Sequence, residues 1–147
     1  MKVSEPFARR VFFWAGIYGI VALLPLYFLE RQLGELAPPA FNRPEQFYGF
    51  LGVALAWQFA FLLIARDVRR YRLFMLPAVA EKLLSAGAVL VLHVQGRVSM
   101  ATAVPSMIDL LLGALFLAAY LACRQGENEH DEVNGRLTRV NAARRGR

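Results

Sequence analysis

The chain has 147 residues, 57% of them hydrophobic, a formal net charge of +6 and an isoelectric point near 10.1. A soluble domain of this length shows its apolar residues in stripes, whereas here they come in unbroken blocks close to the roughly 20 residues that cross a bilayer. These blocks do not alternate with polar residues, which excludes barrel strands, and the single cysteine, Cys123, excludes an intrachain disulfide or a thiolate metal set.

A short polar start with Lys2, Arg9 and Arg10 leads into Val11–Leu29, which carries no charge. The run is too long for a signal-peptide core, and Glu30-Arg31-Gln32 follows without a small-residue cleavage pattern. It is therefore expected to be the first spanning helix, with Gly16 and Gly19 as a close-packing notch and a bend at Pro25. Residues 30–46 form a connection in which Pro38, Pro39 and Pro44 oppose a continuous helix. Asn42-Arg43-Pro44-Glu45 reads as the start of the next one, with proline in its first turn and an acid near its positive end.

The second span, 47–65, is also free of charge. Phe47 and Tyr48 suit the headgroup boundary, while Gln58 sits mid-segment, where a buried amide needs partners. Arg66-Asp67-Val68-Arg69-Arg70-Tyr71-Arg72 is a short basic loop, so the second and third spans are expected to form an antiparallel hairpin. The third span, 73–95, has Pro77 in its first turns and, at its centre, the adjacent charges Glu81 and Lys82. Each charge costs about 2.5–3.5 kcal/mol on insertion scales, so both call for partners. Gly96-Arg97-Val98-Ser99 makes a tight connection to a fourth span, 104–123, marked at its start by Pro105 and Ser106, with Asp109 early in it. From Arg124 onward the chain is first acidic and then basic. Its composition predicts a disordered charged tail over 124–147, in which Val133, Leu137 and Val140 make at most a weak amphipathic turn or two.

The expected fold is thus all-α, a four-transmembrane-helix antiparallel bundle in one domain, 11–123. The N-terminus, the Arg66–Arg72 loop and the tail share one face and hold most of the basic residues, against Arg31, Arg43 and Arg97 on the other. The positive-inside rule puts both termini in the cytoplasm. This asymmetry also accounts for the high isoelectric point without a nucleic-acid partner.

Depth counting, at about 1.5 Å per residue, places Glu81 about 12 Å from one boundary and Gln58 about 16 Å from the other. Tyr18 lies about 10 Å deep by the same measure. Tyr18, Gln58, Glu81 and Lys82 are expected to share a midplane polar layer centred on Glu81, with Ser85 one turn further along. A second set, nearer the opposite face, pairs Asp109 with His93 and brings Gln95, Tyr27 and Tyr48 to similar depths. Three bland readings stand beside these: Glu81 is protonated or pairs locally with Lys82, Lys82 snorkels to the headgroups, or the layer only fixes helix register.

Phe47-Tyr48-Gly49-Phe50, Val53-Ala54-Leu55-Ala56-Trp57-Gln58, Met75-Leu76-Pro77 and Glu81-Lys82 resemble small bacterial four-helix membrane proteins of unassigned activity, broadly the DoxX-like families. The resemblance covers most of 10–123. It implies a multi-pass protein of the bacterial inner membrane, and some DoxX-like proteins are associated with quinone-linked redox systems. The residues offer no histidine pair at ligand spacing and no cysteine motif, so no cofactor or metal is assigned. Three functions stay open: a bundle that binds or moves a small molecule or proton around Glu81; a structural or accessory subunit whose polar layer fixes packing; and, ranked last, an enzyme on a lipid-soluble substrate. The expected partners are the lipid bilayer and other membrane subunits or a second copy of the chain.

Overall fold

The computed structural model describes residues 4–36 and 43–145. Every regular element among them is helical: α1 (Ser4–Leu23), α2 (Leu26–Leu36), α3 (Pro44–Arg66), a single 3₁₀ turn (Arg72–Phe74), α4 (Met75–Val94) and α5 (Met100–Arg145). Four stretches are long and apolar enough to cross a membrane: Glu5–Gln32, Pro44–Arg66, Arg72–Val94 and Ala103–Gln125. Large apolar side chains such as Trp14, Phe28, Phe59 and Leu84 point outward and are exposed. An apolar exterior of that extent suits lipid and not water. The protein is an all-α bundle of four membrane-capable helices.

The first span is longer than 11–29 and is broken where Pro25 predicts a bend. α1 ends on a bond from the Leu24 N–H to the Ile20 carbonyl (2.9 Å), and Pro25 has no N–H to continue the ladder. The chain restarts as α2 through tighter bonds, Tyr27 N–H to Leu24 O (3.3 Å) and Phe28 N–H to Pro25 O (3.0 Å). Pro38, Pro39 and Asn42 lie outside the described residues. α3 opens with Pro44 in its first turn and Glu45 beside it, as read from the sequence, with Arg43 at the N-cap and no side-chain cap.

The short link after α3 is held by Asp67. Its carbonyl accepts from the Tyr71 N–H (3.1 Å) and its Oδ1 from the Arg70 N–H (3.1 Å). Yet α3 and α4, joined by this short link as the sequence predicts, barely touch along their lengths. α1 packs against α3 and α5, and α4 packs against α5, so the spatial order is α3, α1, α5, α4. Glycines explain which pairs approach. A Cβ on Gly16 would meet the Leu62 side chain at 2.9 Å and the Gln58 carbonyl at 3.0 Å, and one on Gly113 would meet Lys82 Cβ at 3.3 Å. α1 therefore presses on α3, and α5 on α4, leaving α3 and α4 apart.

Toward the end where α1 begins, the helices close on three fully buried rings. Phe12 and Phe116 stack at 4.2 Å, and Phe61 meets Phe116 edge-on at 4.9 Å. At the far end of α4, Gly96 takes φ +71, the Gly96 N–H donates to His93 O (2.9 Å) and the Arg97 N–H to Leu92 O (2.9 Å). This pair of bonds is the Schellman closure, which favours glycine at that position.

The last helix extends beyond its expected span, 104–123, at both ends. It begins at Met100 and not at Val104, so Pro105 lies inside it. It also runs on to Arg145, where composition predicted disorder over 124–147. Few apolar residues remove the prospect of a core but not of a helix. No proline follows Pro105, and the segment contains several good helix formers, chiefly Arg and Glu.

Candidate functional site

The gap between α3 and α4 is a cavity of about 550 Å³. All four spans contribute to its wall: Tyr18 and Gly19 of α1, Trp57 and Gln58 of α3, Glu81, Lys82 and Ser85 of α4, and Asp109 and Leu112 of α5. Phe50, Val53 and Ser85 on its rim remain exposed, so it is open on the side where α3 and α4 fail to meet. The Lys82 ammonium on its wall also sits 5.6 Å from the centroid of Phe61.

Lys82, not Glu81, is the centre of this site. Its side chain is only 9% exposed, and its Nζ lies 2.9 Å from Asp109 Oδ1 on α5 and 3.3 Å from Glu81 Oε2 on its own helix. A bond to Glu81 Oε1 at 3.5 Å is long. Glu81 Oε2 is buried and, although within ion-pair distance of Nζ, accepts no hydrogen bond among the described residues. The ammonium is thus committed chiefly to Asp109, and the Glu81 carboxylate keeps acceptor capacity. This geometry overturns the alternative in which Lys82 snorkels to the headgroups.

Gln58 is buried, but its partner is local: Nε2 donates to Ala54 O at 2.9 Å. The rest of its amide lies on the bare backbone of Gly19, where a Cβ would fall 2.0 Å from Oε1 and 2.3 Å from Cδ. Gly19 is a glycine because Gln58 occupies that space. Tyr18 and Ser85 line the cavity but are exposed, so they belong to its wall and not to the buried network.

The second polar set is not assembled as expected. Asp109 joins Lys82 and leaves His93, whose Nδ1 lies 3.0 Å from Val98 O, so the ring closes the turn after α4. Gln95 is exposed beside that turn. Tyr27 and Tyr48 do meet, with ring centroids 5.6 Å apart, and the Tyr48 hydroxyl donates to Glu30 Oε2 at 2.7 Å. Sequence reasoning missed Glu30 by reading it as the polar stop of the first span. Its position, one helical turn after Tyr27, was the available signal.

A separate cavity of about 500 Å³ lies where α1 starts and α3 ends, with Arg9, Arg10, Arg66 and Arg69 in its wall. Glu5 holds Arg69 there and ties the two helix ends together. Cys123 is buried in the core and forms no disulfide. Among the described residues no group of three or more His, Cys, Asp or Glu side chains could hold a metal ion. No family model, curated protein or solved structure matches the chain.

Proposed function

We propose that this chain is an integral membrane protein that binds a small molecule or a proton in the cavity between α3 and α4, through Glu81, Lys82 and Asp109. One observation carries the reading: three charged side chains from two spans meet on the wall of a roomy cavity in the middle of the membrane-capable region. Charged groups at that depth are costly and are retained chiefly where a site uses them. A cavity of this size, mostly apolar with a few convergent polar groups, is the usual form of a small-molecule site. The clustering of basic residues at the end holding the N-terminus supports an orientation with both termini in the cytoplasm.

The test is a thermal-shift screen of the purified chain in detergent against small molecules of mixed charge. A binder raises the melting temperature of the native chain, and Glu81→Gln folds but loses that rise. If Glu81→Gln responds like the native chain, the reading fails. One observation favours a second reading, a packing or accessory role. The Lys82–Asp109 pair joins α4 to α5, so on that reading Glu81→Gln and Asp109→Asn lower the yield of folded protein and no compound stabilises either form.

A further inference from the structure

We infer that the occupant of the cavity is a lipophilic organic monocation; this rests on the cavity being a small-molecule site, as proposed above. The charges state the sign. Among the described residues lining the cavity, Glu81, Lys82 and Asp109 are the charged ones, two carboxylates against one ammonium. Lys82 contacts both but lies closest to Asp109, at 2.9 Å, and Glu81 Oε2 is left buried without a hydrogen bond. The ionised site therefore holds one negative charge in excess. A group bearing positive charge and placed against Glu81 balances it.

The walls state the size and polarity. A bare metal ion needs more ligands than two carboxylates, and no metal-capable group of side chains is found among the described residues. A proton would neutralise the excess charge but leave about 550 Å³ unused. The rings of Tyr18, Phe50 and Trp57 line the same cavity, and aromatic faces attract a desolvated organic cation. Leu23, Leu26, Val53 and Leu112 supply an apolar remainder. The opening between α3 and α4 faces the side that lipid would occupy, so a solute that partitions into the bilayer reaches the acid without crossing the protein.

The experiment uses two ions of one shape and opposite charge, tetraphenylphosphonium and tetraphenylborate, on the full chain in nanodiscs of zwitterionic lipid. Trp57 lines the cavity whereas Trp14 is exposed on the exterior, so with Trp14→Phe the quenching of Trp57 reports the site itself. Tetraphenylphosphonium quenches saturably and tetraphenylborate does not. Glu81→Gln and Asp109→Asn, each of which removes the excess negative charge, weaken the phosphonium at least tenfold. Lys82→Gln, which adds to that excess, keeps its affinity or raises it. Saturable binding of tetraphenylborate as tight as the phosphonium, or no effect of either carboxylate variant on the phosphonium, overturns the inference. Saturable quenching by neutral tetraphenylmethane alone would leave the cavity a small-molecule site and overturn only its charge preference. If none of the three binds, both fail. Should a variant fold poorly, its fraction recovered as folded protein is measured first, and the remaining carboxylate variant carries the test.

Discussion

Lys82 shows how a charge can lie within a span without reaching for the headgroups. Its ammonium has an acid on the next helix, a second on its own, and an aromatic ring beneath it. Depth counting rests on the fixed rise along a helix, but it could not assign partners. Glu81 and Lys82 are adjacent and point about 100° apart, so which of them faces α5 depends on helix rotation, which no single sequence states. Asp109 was misassigned for a simpler reason. Counted from Val104 it lies about 8 Å deep, and the long Lys82 side chain meets it there, at 2.9 Å. Gly19 gives the sharpest prediction at this scale. Gly19→Ala drives a methyl into the buried Gln58 side chain and displaces it from Ala54 O, costing about 1–3 kcal/mol. Gly87→Ala, where a Cβ meets nothing within 4 Å, is the control and leaves stability unchanged or slightly raised. Denaturation of the two variants side by side in mixed micelles checks the contrast, and equal stability would remove Gly19 from the account.

At the scale of elements, the number and type of helices were legible because charge-free runs of bilayer length leave few alternatives. Pro25, Pro44 and Gly96 each act through a backbone property that sequence displays directly: a missing donor, a preset φ, and access to φ +71. Pairing was less legible. The Arg66–Arg72 link fixes which ends of α3 and α4 are near, but the faces of close approach are set by Gly16, Gly19 and Gly113, and those select α1 with α3 and α5 with α4. The helical course of 124–145 was not expected because a polar composition was taken to forbid order. Gly96→Ala tests the α4 terminus: a side chain at φ +71 costs about 1 kcal/mol, read as a lower unfolding midpoint with the span intact. A midpoint equal to that of the native chain would show that the turn does not require its left-handed residue.

Taken whole, the molecule is a bundle that closes at one end and stays open in the middle. Three phenylalanines fill the space between α1, α3 and α5 below the site, while above them α3 and α4 separate and the polar groups line the gap. That arrangement makes the charged trio a wall of a cavity and not a filled core, and the proposed function depends on it. The most direct measurement is a double-mutant cycle on Lys82→Met and Asp109→Leu in a Glu81→Gln background, which removes the third charge. Unfolding free energies are measured in the same bilayer mimetic. A buried pair predicts that either single change costs about 3–5 kcal/mol, that the double change recovers much of the loss, and that the coupling exceeds about 1 kcal/mol. Additive losses, with no coupling, would mean that Lys82 and Asp109 do not meet inside the bundle and would contradict the site described here.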